Sequence, residues 1–212
     1  ALRRLRGAVL FRGLRPSSSW GFPFWRLDLT VQSSGPAYGG PLTFGVSPLF
    51  RTMSHLEQLI VEYLDWTGYL VRRNVKVGRL KHGGWEMELD VLAYNPSTKD
   101  LVHYEPSLDA HTWETRESRF AKKFSSAKKY VFSEVFGWLP PETPVRHIAV
   151  LPSHPKGRDT LGEAKLQSID EFMAEVRAAI TQCGPARRAA ISEIYPLLRT
   201  IQLAINGYNK VV

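Results

Sequence analysis

The sequence predicts an α/β domain in which a mixed sheet, opened by a β-meander, is packed between helices. Three observations carry this expectation. The 212 residues are 43% hydrophobic, enough for one sizeable core. From residue 69 to residue 104, apolar-rich runs with two-residue alternation are separated by turn-forming stretches, the pattern of successive antiparallel strands. On both sides of that region apolar residues recur at three- and four-residue spacing, the pattern of helices with one buried face.

Residues 1–52 hold seven Arg and one Asp and are interrupted by Ser17-Ser18-Ser19, Gly39-Gly40 and several prolines. Arg3, Arg4, Arg6, Arg12 and Arg15 among Leu2, Leu5, Val9 and Leu10 have the character of an organellar transit segment or a basic membrane-surface segment. Met53 stands directly before a well-formed helix start. The expectation is therefore a working domain over 53–212, preceded by an extension that is disordered or not native to it. The expected compartment is the cytoplasm, with organellar import if the extension is native.

Ser54-His55-Leu56-Glu57 has the form of a capping box, and Leu56, Leu59, Ile60, Tyr63 and Leu64 follow at helical spacing up to Gly68. Tyr69 to Val77 alternates as a half-buried strand. Gly78 to Gly84 is a basic turn that leads into a hairpin formed by Trp85–Tyr94 and Leu101–Tyr104, joined through Asn95-Pro96-Ser97-Thr98-Lys99-Asp100. Phe120, Phe124, Ala127 and Val131 mark a long amphipathic helix. Pro140 to Pro144 breaks the chain, Val145 to Leu151 reads as a strand, and Pro152 to Leu161 as a polar loop. Ser168-Ile169-Asp170-Glu171 opens a second capped helix, and Arg187 to Asn206 reads as a last helical stretch, kinked or restarted at Pro196.

The formal charge of +8 is concentrated in the head, because from Met53 onward 21 basic residues face 19 acidic ones. A phosphate-binding surface on the domain must then be a local patch. Cys183 stands alone, which excludes an internal disulfide and leaves packing as its expected role. No apolar run approaches the length of about 18 residues that a membrane span requires. The six His show no zinc-site spacing, and a glycine-rich phosphate loop and a Gly-x-Ser-x-Gly elbow are both missing. Ser107, Asp109 and His111 are too close in sequence to build a hydrolytic triad.

The hairpin carries the chemistry. With two-residue periodicity, Glu88 and Asp90 point away from the face of Leu89, Val91 and Ala93, while His103, Glu105 and Ser107 share one side of the second strand. If the polar faces meet, Asp90 and Glu105 converge. Two ionised carboxylates about 4 Å apart repel by roughly 4 kcal/mol at an effective dielectric of about 20, so a cation or a proton must lie between them. A hard divalent ion with oxygen ligands suits the position.

An Asp ending one strand, followed after a turn by Glu-x-Lys on the next, with a further Glu on a preceding helix, resembles the restriction-endonuclease-like nuclease superfamily. Asp90 matches the Asp, and Glu105-Pro106-Ser107 occupies the Glu-x-Lys position with Ser107 in place of the lysine. The order of elements from about Ser54 to Leu151 matches as well. The resemblance implies hydrolysis of a nucleic-acid phosphodiester, with DNA preferred to RNA. It implies Mg²⁺, or Mn²⁺, held by Asp90, Glu105, the carbonyl of Pro106 and Glu57, whose alternative role is to complete the helix cap. The missing lysine implies a replacement cation, with Lys122 and Lys123 as candidates, or a catalytically degenerate scaffold that binds nucleic acid or protein. Arg79 and Lys81 of the basic turn, and Arg116, Arg119, Lys122 and Lys123 of the long helix, are the expected phosphate contacts, against the alternative of a solvated helix face.

Overall fold

A computed structural model describes residues 54–206. The expectations for the basic head, and for Gly207 as a helix stop, lie outside the described residues. The chain forms an α/β fold with a six-stranded open mixed sheet flanked by helices. Helix α1 (His55–Trp66) leads into β1 (Leu70–Arg79), β2 (Trp85–Asn95) and β3 (Asp100–Pro106), an antiparallel meander. Helix α2 (Trp113–Tyr130), continued by one wider turn at Val131–Val135, crosses to β4 (Val145–Leu151), which lies parallel to β3. A short hairpin follows, β5 (Thr160–Leu161) and β6 (Ala164–Ser168), with β6 parallel to β4. Helices α3 (Ile169–Cys183) and α4 (Pro196–Ile205) close the chain. The strand order is β1-β2-β3-β4-β6-β5.

The two faces of the sheet bury different sets of residues. Val91, Ala93, Val102, Tyr104, Ile148 and Val150 pack with α1, α3 and α4. On the other face, Phe120 and Phe124 of α2 pack on Ala149, Leu151, Ala164 and Leu166. Ile60, Phe172, Val176, Ile180 and Leu198 are fully buried, each worth about 1.5–3 kcal/mol in transfer from water.

Four expectations change. Leu89 packs beside Val77 and Leu92 on the α2 side, not with Val91 and Ala93. The strand pairing passes over Asn74, which has a φ of 50° and lies opposite Asp90, and the local kink breaks strict alternation there. The stretch 152–161 is not all loop, because its end forms β5 and turns through Gly162, with φ at 60°, into β6. The segment 187–206 is helical only from Pro196. Finally, the two capping sequences differ in outcome. Ser168 and Glu171 close a full reciprocal box (3.1 and 2.7 Å), whereas Ser54 caps the backbone of Glu57 (3.1 Å) without any return bond from the Glu57 carboxylate.

Helix α4 is started by Glu62. This carboxylate, 1% exposed on α1, accepts from the backbone N–H groups of Leu197 (2.9 Å) and Leu198 (3.2 Å), which are donors that a helix start leaves free. Pro196 at the first position has no N–H to satisfy. Replacing Glu62 with Ala is expected to destabilise the fold by about 2–4 kcal/mol, since two shielded donors lose their acceptor. Glu62→Gln, which keeps one acceptor, is expected to lose less. Urea denaturation of the three proteins measures the difference.

Candidate active site at the end of the central hairpin

The register that pairs Val91 with Tyr104 places Asp90 opposite Glu105 at the end of the β2–β3 ladder. There the Asp90 N–H reaches the Glu105 side chain (Oε1, 3.2 Å). Asp90 is 6% and Glu105 1% exposed. The cation that this pair demands comes from α2. Lys123 Nζ lies 2.9 Å from Asp90 Oδ2 and also donates to Glu105 Oε2. Phe120 and Phe124 hold that face of α2 on the sheet. A cleft of about 230 Å³ opens over the three groups, and Glu57, Ser107 and Arg119 also line it.

Burial, followed by repulsion from Glu105, raises the Asp90 carboxyl to about 7. Glu105 is raised as well, first by burial, while Lys123 pulls it back. Burial alone would lower Lys123, but the two carboxylates together outweigh it and raise its affinity for a proton. Both acids therefore hold a proton more tightly than a free carboxyl does, with the ammonium against both.

Behind Glu105 runs a buried chain. His103 Nε2 lies 2.8 Å from Glu105 Oε1, and His103 Nδ1 lies 3.1 Å from His147 Nδ1. Phe124 packs on both rings (centroids at 5.5 and 4.8 Å). Burial lowers His103 to about 3 and His147 to about 4, so both are neutral at pH 7. Glu105 Oε1 already accepts from the Asp90 N–H, and an acceptor at that end of the chain fixes the rest. His103 carries its proton on Nε2, so its Nδ1 accepts. His147 then carries its proton on Nδ1, and its buried Nε2 is a bare lone pair without a partner among the described residues. The chain pins Oε1 of Glu105 and leaves Oε2 turned to Lys123.

Of the residues expected at the site, Asp90, Glu105 and Lys123 meet, and Pro106, Ser107, Glu57 and Arg119 line the same cleft. Glu57 makes no side-chain hydrogen bond or ion pair among the described residues. Ser107 does not stand in for a lysine. Its Oγ accepts from Asp109 N–H (3.3 Å) and shapes the turn after β3. Lys122 is exposed on the flank of α2 beside Glu86 and Met87 and does not reach the acids. Helical geometry already separates the two lysines. At about 100° per residue, Lys123 lies roughly 70° from the centre of the Phe120, Phe124, Ala127 stripe, and Lys122 lies almost opposite it.

Arg119 is ion-paired to Asp109 (2.8 Å) and Arg116 donates to the Asp109 carbonyl (2.5 Å), so part of their donor capacity is spent on the turn that follows β3. Arg79 and Lys81 are exposed and have no ion-pair partner among the described residues. They lie at the far end of the β1–β2 ribbon, about five residues or 17 Å of extended chain from Asp90, outside the cleft. The signal that sequence reasoning undervalued is His147. Its place on a strand next to the one that carries His103 becomes visible only when β4 is paired with β3.

The two carboxylates and Glu57 offer hard oxygens around one cleft, the ligand type that a divalent cation such as Mg²⁺ takes, and the Lys123 ammonium lies on two of them. Among the described residues no three His, Cys, Asp or Glu side chains converge closely enough to hold an ion by themselves. No helix of the described residues is long and apolar enough to cross a membrane. No protein-family model, curated protein or solved structure matches the chain.

Two predictions follow from this geometry. The folded pKa of Asp90, about 7, lies above the ordinary value of about 3.9. Its contribution to stability is therefore complete below about pH 4 and is lost as pH rises through 7. The stability of the wild type relative to Asp90→Asn is expected to fall between pH 5 and pH 8 in urea titrations, and a difference that stays flat or rises contradicts the assignment. Nitrogen-15 NMR of the imidazoles at pH 7 is expected to show His103 protonated on Nε2 and His147 on Nδ1. The reverse pair of tautomers would mean that Glu105 is the protonated acid.

Proposed function

We propose that the chain is a divalent-metal-dependent nuclease with a restriction-endonuclease-like core, hydrolysing phosphodiester bonds of nucleic acid, DNA in preference to RNA. The observation that carries the reading is the Lys123 ammonium lying against both Asp90 and Glu105, a carboxylate pair with a lysine delivered from the next helix in place of Ser107. Asp90 and Glu105, with the Pro106 carbonyl and Glu57, would hold Mg²⁺ or Mn²⁺. When bound, the ion supplies positive charge at the phosphate and acidifies a coordinated water.

The protein's own groups supply the rest. Lys123 has three N–H donors, two of which are engaged by the carboxylates. The third can take a phosphate oxygen or hold the attacking water, and its charge opposes the negative charge that grows during in-line displacement. Its 24% exposure places that donor at the mouth of the cleft. Arg119 at the rim, and Arg79 and Lys81 along the ribbon, give the nucleic acid backbone positive charge to lie on.

A second reading has an observation of its own. Lys123 already neutralises the pair, and the acids do not gather in a group of three, which is the condition expected of a degenerate site in a nucleic-acid-binding or partner-binding module. Incubation of the purified chain with supercoiled plasmid and with branched and single-stranded DNA in Mg²⁺ or Mn²⁺ separates the two readings. The nuclease reading expects metal-dependent cleavage, reduced by about 10²–10³-fold or more in Asp90→Ala and Lys123→Ala. Salt-dependent binding without cleavage, unchanged in Asp90→Ala, makes the chain a module.

A further inference from the structure

A second cavity, of about 270 Å³, lies on the sheet face opposite the carboxylate cleft. It is bounded by α1, α3 and the neighbouring strands β3, β4 and β6. Tyr104 and Ile148 form part of its wall, and Tyr63, Arg146, Lys165 and Gln167 surround it.

The polar groups around this cavity are sorted by hydrogen bonding. Asp100 receives Arg146 on both oxygens (Nε 2.8 Å, Nη2 2.6 Å) and Tyr69 on one (2.7 Å). Glu175 receives Tyr63 (3.1 Å) on one oxygen and Gln167 (3.0 Å) on the other. Every carboxylate oxygen near the cavity thus already has a donor. What is left over is mostly of one kind. Tyr104 is 5% exposed, and its hydroxyl has no hydrogen-bond partner among the described residues. Lys165 has no ion pair among them, and Arg146 Nη1 is not used by Asp100. A phenol, an ammonium and a guanidinium nitrogen remain as unused donors on residues that line the cavity, against one unused amide oxygen, that of Gln167.

We propose that this cavity is a binding site for a small oxyanion, a ligand that presents acceptors to Tyr104, Arg146 and Lys165. Arg146 is balanced by Asp100 and so contributes direction rather than net charge, while Lys165 sets a positive charge against that of Glu175, which also lines the cavity. The volume admits a small carboxylate or a phosphate group. The site lies on the far side of the sheet from Asp90 and Glu105, so its occupancy does not depend on the nuclease reading.

The chemistry is shared by two sources, carboxylate metabolites and phosphate, and titration distinguishes them. Acetate and inorganic phosphate are each added to the isotope-labelled full chain, with the Tyr104 ring and the Lys165 side chain followed by NMR at constant pH and ionic strength. At least one of the two is expected to shift both signals saturably, and the tighter one names the source. Tyr104→Phe keeps the ring against Phe172 (centroids at 6.4 Å) and is expected to weaken that ligand at least tenfold, the loss of one hydrogen bond to a charged group. Lys165→Met is expected to do the same. Saturation that neither substitution alters, or no saturable shift with either anion, overturns the proposal. Because the readout needs neither metal nor cleavage, a chain without nuclease activity leaves this test intact.

Discussion

Two acids on neighbouring strands cannot be buried at hydrogen-bonding distance from one cation without that cation being part of the fold. Asp90 and Glu105 are nearly inaccessible, and at low effective dielectric their mutual repulsion would exceed what a few packed side chains return. Lys123 and the raised proton affinity of Asp90 resolve the conflict. The position of α2 follows from this, since its apolar stripe must seat on Ala149, Leu151 and Leu166 at the angle that brings Lys123 over the end of the hairpin. The register of β2 on β3 follows as well, because a slip of one residue would turn one acid to the other face.

The sheet divides the work between its faces. On the α2 side, His103 and His147 extend the site into the core and fix one oxygen of Glu105, a supporting shell of the kind that sets the orientation of a functional carboxylate. On the other side, Glu62 holds the start of α4 and Phe172, Val176 and Leu198 complete the core. Tyr104 belongs to that face although its neighbours in sequence, His103 and Glu105, belong to the first. Strand alternation thus puts two unrelated polar environments within three consecutive residues, and neither disturbs the other because the backbone lies between them.

Much of this was legible in the residues, and what was not has particular causes. Asp90 and Glu105 could be found because alternation and a turn suffice to pair two strands close in sequence. Lys123 was within reach of the same reasoning, since the stripe through Phe120 and Phe124 fixes which lysine faces the sheet. The strand Ala164–Ser168 was hidden because it is short, pairs with a distant strand, and ends at the residue that caps α3. The helical reading of 187–195 failed because apolar spacing alone does not see that Gln202, buried and bonded to Gly184, Ala189 and Ile191, ties that segment down as a loop. Which role Glu57 takes, completing the cap or lining the site, was equally hidden in the capping sequence. Ser54–Glu57 and Ser168–Glu171 have the same pattern, yet only the second returns its bond, and the free Glu57 is the one beside the acidic pair.

That contrast bears on how the cleft works. A glutamate at the third helical position ordinarily gains stability by reaching back to its own cap, and Glu171 does so. Glu57 forgoes that bond and lines a cleft where two further carboxylates already share an ammonium. Glu57 does not join the pair as a third member of one group, so it brings a further oxygen donor to the cleft without sharing the repulsion that Lys123 offsets. An ammonium on a flexible stem at the rim can yield oxygens to a harder ion, whereas a lysine locked in the core could not. The arrangement is therefore balanced at rest by Lys123 and the raised proton affinity of Asp90; under the proposed nuclease reading, a divalent ion would take over carboxylate oxygens that the ammonium now holds.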